Sequence, residues 1–121
     1  MTDPTGTHHS VDYIELCVSN MARAKAFYIA AFGWKVTDYG PGYAGFVDHA
    51  RGDREAGGLR LVDAVTRGGP LVVLYSKDLE ASAKAVHEAG GKIKAEIYEF
   101  PGGRRFEFED PSGNHLAVWG K

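Results

Sequence analysis

The chain answers itself. "GWKV" at 33–36 is matched by "GGKI" at 90–93, an offset of 57, and with the same offset "LRL" at 59–61 is matched by "LAV" at 116–118. An internal repeat constrains the fold more than any single segment, because each copy must take the same topology and the copies must share one core. Each half reads strand, helix, strand, strand, strand. In the first, "VDYIELCV" (11–18) alternates with period two, and "MARAKAFYIAAF" then switches to helical spacing. Asn20 is placed to accept from the backbone at the helix start, and Gly33 can take the left-handed conformation that ends it. Strands follow at 34–39 and 43–49, then a polar link "ARGDREAGG" and the short strand "LRLV" (59–62). After a connector at 63–69 the order returns: a strand at 70–76, a helix capped by Asp78, a strand at 92–100, and a final hairpin of 104–110 and 115–119. The predicted helices span 20–32 and 78–90. The hairpin turns on "DPSGN", in which Pro111 presets φ, and Gly113 and Asn114 tolerate positive φ.

Neither half has enough sheet or helix to cover both of its faces, so a chain of 121 residues is predicted to pair them in one domain. The fold class is α+β: two βαβββ modules form a curved mixed sheet around a cleft, with helices on the outer face. The boundaries are a flexible N-terminal arm at 1–10 and a single domain at 11–121, with module one at 11–62 and module two at 70–119. Period two then assigns the faces. Ile14, Leu16, Val18, Leu59 and Leu61 should pack under the helices in module one, and Val72, Leu74, Leu116 and Val118 in module two. The opposite, inner face receives Tyr13, Glu15, Cys17 and Arg60 from module one. From module two it receives Leu71, Val73, Tyr75, His115, Ala117 and Trp119. An apolar concave lining with a few polar groups is the usual makeup of a small-molecule pocket, and equally of a subunit interface.

Charge and composition exclude other classes. With 14 basic and 16 acidic residues and no basic stripe, nucleic acid is not an expected partner. No apolar run is long enough for a membrane span, and "MTDPTGTHHS" is not a secretory signal. The single cysteine, Cys17, allows neither an internal disulfide nor a cysteine-rich zinc site, which fits a cytoplasmic location; it reads as a small buried filler.

Three segments together resemble the vicinal oxygen chelate superfamily, the group of glyoxalases, bleomycin resistance proteins and ring-cleaving dioxygenases. They are "YIELCVSNMARAKAFYIAAFGW", "SKDLEASAKAVHEAGG" and "FEFEDPSGNHLAVW". The resemblance spans about 11–119 and is nearest to the small branch described as related to lactoylglutathione lyase. It implies a U-shaped sheet around the active site, with metal ligands on the first and last strands of each module. Carried onto this chain, those ligand positions fall on Tyr13, near Arg60, on Leu71 and on Ala117. None is histidine or carboxylate, and zinc-like ions need such donors at about 2.0–2.2 Å. The expectation is therefore no metal and no cofactor.

The candidate ligand-binding residues are Tyr13, Glu15, Arg60, Tyr75, His115 and Trp119. Glu15 and Arg60 lie on adjacent strands and can pair, either to fix a polar ligand group or only to neutralise each other. His115 can act as an acid or base near neutral pH, with no carboxylate visibly placed to orient it. The expected role is metal-free binding of a small aromatic or anionic molecule, as the resemblance to drug-sequestering members implies, in a homodimer whose apolar inner face is partly covered. The alternative is a lyase, isomerase or dioxygenase-type enzyme, using side-chain acid–base chemistry or a metal held at other positions.

Overall fold

The computed structural model describes residues 8, 9, 11–66 and 68–121. The predicted arm at 1–10 lies outside them except for His8 and His9, and so does Arg67 of the connector. Two copies of one topology are present. Module one runs β1 (Ile14–Val18), α1 (Met21–Phe32), β2 (Lys35–Asp38), β3 (Tyr43–Val47) and β4 (Gly57–Leu61). Module two runs β5 (Val72–Tyr75), α2 (Leu79–Glu88), β6 (Lys92–Phe100), β7 (Gly103–Glu109) and β8 (His115–Gly120). The curved surface consists of two four-stranded sheets, in the orders β1-β4-β3-β2 and β5-β8-β7-β6. In each, the first and last strands pair in parallel and the others antiparallel. None of the described helices is long and apolar enough to cross a membrane.

The helices start and stop where the caps require. Asn20 Oδ1 accepts the Arg23 N–H at 3.1 Å, and Gly33, at φ 68°, donates its N–H to the Ile29 carbonyl. Asp78 Oδ1 accepts the Ala81 N–H at 3.1 Å, and the helix closes at Ala89 before Gly90 turns the chain at φ 100°. Helix α1 buries Ala24, Phe27 and Tyr28, and α2 buries Leu79 and Val86. Between helices and sheets runs an aromatic core in which Trp34 stacks on both Tyr28 and Phe46, with centroids 4.7 and 4.1 Å apart. Leu16, Val18, Leu59, Leu116 and Val118 are buried in it as period two predicted, and Ile14, Val72 and Leu74 pack half-buried against it. Leu61 departs from that assignment. It is the last residue of β4 and stays 41% exposed.

A second departure sets the register. The polar link was expected to run through Gly58, but Gly57 and Gly58 are the first two residues of β4. They are in the strand because nothing larger fits there. A Cβ on Gly57 would run into the Ile14 carbonyl oxygen and the Phe46 ring, and one on Gly58 into the Tyr43 and Tyr13 hydroxyls. Ile14 faces Gly57 where Val72 faces Leu116, so Leu59 is the counterpart of Val118, not of Leu116.

The modules are joined through the "DPSGN" turn. Asp110 is 4% exposed, and its carboxylate accepts from the Ser112 and Asn114 backbone N–H groups, from Asn114 Nδ2 and from the Tyr28 hydroxyl. Burial, and then the Asp110 charge, raise the Tyr28 phenol well above its usual range. Asn114 Nδ2 also donates to the Cys17 carbonyl on β1, and Ser112 Oγ accepts the Ser19 N–H. The turn of one module thereby occupies hydrogen-bonding groups at the end of β1 in the other.

Candidate functional site

Two cavities open on the inner face. The larger, about 930 Å³, lies between β1 and β5 where the connector crosses, and Tyr13, Glu15, Cys17, Leu71, Val73 and His115 are on its wall. The smaller, about 360 Å³, is bounded by Val73, Phe100, Gly102, Arg105 and Trp119. Val73 belongs to both, so they adjoin on one surface.

On the module one side, the two strand glycines leave room for side chains to lie across the sheet. Tyr43 spans Gly58, sharing a hydrogen bond with the Tyr13 hydroxyl at 2.8 Å and donating to Glu15 Oε2 at 3.0 Å. Desolvation, followed by these hydrogen bonds, raises the Tyr43 phenol well above its usual range. The Glu55 carboxylate lies over Gly45 and accepts from the Tyr39 hydroxyl, which raises the Tyr39 phenol.

On the module two side, a polar chain crosses β8, β7 and β6. His115 Nε2 lies 2.8 Å from Glu107 Oε1, and Glu107 Oε2 accepts from the Tyr98 hydroxyl. Tyr98 in turn accepts from Arg105 Nε. The bonds from Tyr98 first and His115 second hold the Glu107 carboxyl below the usual range. The Arg105 guanidinium lies over the Tyr98 and Phe100 rings at 5.6 and 5.9 Å, and Trp119 meets Tyr75 and Phe100 edge to face.

The six sequence candidates therefore separate. Tyr13, Glu15 and His115 share the larger cavity, and Trp119 bounds the smaller. Tyr75 packs against Trp119 but is 62% exposed, and Arg60 bounds neither cavity. Arg60 and Glu15 form no ion pair among the described residues. Parallel pairing sets Arg60 beside Cys17 and Gly58 beside Glu15, so the two side chains are offset diagonally, and Glu15 is bound by Tyr43 instead. His115 does have an orienting carboxylate, Glu107. Cys17 is not buried filler but half-exposed on the cavity wall. The sequence did not single out Arg105, Glu107, Tyr43 or Tyr98 as site residues. Counting back from the turn would have found the first two, since Glu107 faces Ala117 and Arg105 faces Trp119.

The register also corrects one ligand position of the chelate pattern. Glu15 faces Gly58 as Val73 faces Ala117, so the position equivalent to Ala117 in module one is Gly58, not Arg60. The set becomes Tyr13, Gly58, Leu71 and Ala117. Three of these side chains offer no donor atom, and the Tyr13 hydroxyl is bonded to Tyr43. Among the described residues no group of three or more His, Cys, Asp or Glu is gathered to hold a metal ion. The residues present do not fit the chelated metal.

The family model described as the glyoxalase/bleomycin resistance protein/dioxygenase superfamily matches residues 10–118. The chain is 31% identical over 116 residues to the anthracycline biosynthesis protein DauV of Streptomyces sp. (strain C5), covering 94% of this chain and 42% of that protein. It thus spans less than half the length of this curated relative. Among solved structures, a glyoxalase-related enzyme from Fulvimarina pelagi superposes with a TM-score of 0.77 at 20% identity, over 93% of this chain and 88% of the other. TnmS3, an antibiotic binding protein from Streptomyces sp. CB03234, superposes with a TM-score of 0.70 at 24% identity, over 95% and 98%.

Proposed function

The chain belongs to the glyoxalase/bleomycin resistance protein/dioxygenase superfamily, and from that premise we propose that it binds a flat organic molecule on its inner face without a chelated metal. The observation that carries this reading is the pairing of a 930 Å³ cavity between the modules with a ligand set that has lost its donors. A cavity of this size suits a drug-sized molecule, and Trp119, Tyr75 and Phe100 beside it offer aromatic surface for stacking. The curated relative named for anthracycline biosynthesis and the structural neighbour named as an antibiotic binding protein support a polycyclic aromatic ligand. The test is a thermal-shift panel of planar polycyclic aromatics set against aliphatic compounds of equal mass, on protein made without a tag. Stabilisation by the planar compounds alone is expected, and an unmoved midpoint across the panel contradicts the reading.

The same face supports a homodimer. Leu71, Val73 and Tyr75 are 38, 41 and 62% exposed on adjoining inner-face positions of β5 and the residues before it. Association that covers them would remove apolar surface from water. Sedimentation at tens of micromolar is expected to give twice the chain mass, and a monomer there removes the dimer.

A second, enzymatic reading rests on one feature: His115 on the wall of the large cavity, with Glu107 orienting its ring. That pair is equipped to move a proton. A substrate whose carbon-bound proton exchanges with solvent in the presence of the protein, and does not with His115→Phe, would favour it.

A further inference from the structure

We propose that the inner face reads its ligand end to end, the large cavity accepting hydrogen bonds from one end and the small cavity donating them to the other. This rests on the binding role above and specifies the ligand class and its orientation.

The direction of each end follows from counting protons. At the large cavity, an ionised Glu15 has no proton to give, so in its bond with Tyr43 the phenol must donate. A phenol has one proton. With Tyr43's committed to Glu15, the Tyr13–Tyr43 bond can form only if Tyr13 donates, and Tyr13 is left with lone pairs alone. His115 follows the same logic. Its Nε2 faces the Glu107 carboxylate, so the neutral ring carries its proton there and Nδ1 is an acceptor, with no other partner among the described residues. Tyr13, Glu15 and His115 thus face the ligand as acceptors, and among the described residues no lysine or arginine bounds this cavity.

The small cavity is the reverse. Arg105 spends its Nε proton on Tyr98, while its Nη2 stands 3.7 Å from Glu107, beyond a hydrogen bond, so the guanidinium fork keeps protons to give. The Trp119 indole can only donate, and it has no hydrogen-bond partner among the described residues. Tyr98 and the ring of Phe100 hold the fork in place.

The two ends are fixed relative to one another by β8. His115 and Trp119 share a face four residues apart, which is about 13 Å of strand. Between them lie the buried Ala117 and, paired with it, Val73, which belongs to both cavities. The ligand class is therefore an extended aromatic molecule with a hydroxyl or protonated amine at one end and a carbonyl or carboxylate at the other.

Three biphenyls carrying their substituents at opposite para positions test this by calorimetry: the hydroxy-carboxylate, the diol and the dicarboxylate. The hydroxy-carboxylate is expected to bind about ten-fold more tightly than either of the others, the scale of one hydrogen bond to a charged group. The diol offers Arg105 only a neutral hydroxyl oxygen in place of a carboxylate, and the dicarboxylate sets a second anion against Glu15 and Glu107. In Arg105→Met the advantage over the diol should vanish while the advantage over the dicarboxylate persists. Equal affinities for all three compounds, or a dicarboxylate that binds best, would overturn the orientation and leave the binding role standing. Failure of all three to bind at millimolar concentration would contradict the binding role itself, and the orientation with it.

Discussion

The two modules share a topology and differ in where they spend their residues. In module one the second and third strands are short, with 4 and 5 residues, and the link from β3 to β4 is long, at 48–56. In module two the same strands have 9 and 7 residues and the turn is tight, at 110–114. The consequences are opposite. The long link of module one folds Glu55 back over Gly45, so its inner face is covered by its own phenols and carboxylates. The long hairpin of module two carries Tyr98, Phe100 and Arg105 out beside Trp119 and opens the small cavity, while its short turn reaches across to module one through Asp110 and Asn114. The repeat kept the helix side alike, where burial constrains it, and let the inner face diverge, where a ligand would be read.

The strongest way to break this contrast is at the turns. Asp110→Ala strips four hydrogen bonds from a buried hub and leaves the Tyr28 hydroxyl and the Asn114 amide short of partners. A loss of about 3–5 kcal/mol in urea unfolding is expected. Asp48→Ala removes one exposed hydrogen bond, to the Ala50 N–H, and should cost only about 0.5 kcal/mol. Similar losses at both sites would contradict the claim that the module two turn, unlike the link after β3, helps to join the halves.

The next test adds single methyls to the two strand glycines. In Gly57→Ala the new Cβ meets the Ile14 backbone, which cannot swing away, and overpacking should cost about 1–3 kcal/mol. In Gly58→Ala it meets two tyrosine hydroxyls, which can move, and module one gains the methyl that module two has at Ala117. Stability should fall by only about 0.5–1.5 kcal/mol, the range of a neutral hydrogen bond, as Tyr43 leaves Glu15. A phenol titration by ultraviolet absorbance should then show one tyrosine ionising at lower pH than in the wild type.

The smallest expected effect is in the polar chain of module two. The Glu107 carboxyl is held below its usual range in the folded state, so its bonds stabilise the protein above the ordinary glutamate pKa. That contribution is lost as pH falls from there through the lowered value, because the unfolded chain takes up the proton first. The group is partly solvated, so the amount is about 1 kcal/mol or less. Glu107→Gln should lose less stability than wild type between neutral pH and the acid side of that window, read as a shallower fall in thermal midpoint.

These contrasts also show how far the sequence could be read. The topology, the caps at Asn20 and Asp78 and the buried face of most strands were legible, because period and capping are local properties. What was hidden depended on register. The chain looks polar and loop-like up to Gly58, and only the packing of Ile14 and Phe46 shows why two glycines begin a strand there. A register error of two residues made Arg60 stand in for Gly58 and suggested an ion pair with Glu15. Arg105 and Glu107 alternate with Phe106 and Phe108 and could have been assigned to the inner face, but their cross-strand partners follow only from fixing the "DPSGN" turn as the hairpin's end. Which residues meet across the gap between β1 and β5 is a tertiary matter that no local pattern encodes.

The central claim is that the cleft binds a planar molecule with side chains alone. It is tested most directly by calorimetric titration of an anthracycline into tag-free protein, before and after exhaustive dialysis against a chelator. The account predicts saturable binding with the same affinity in both preparations. Binding that disappears on chelation and returns with one equivalent of a divalent metal would contradict it.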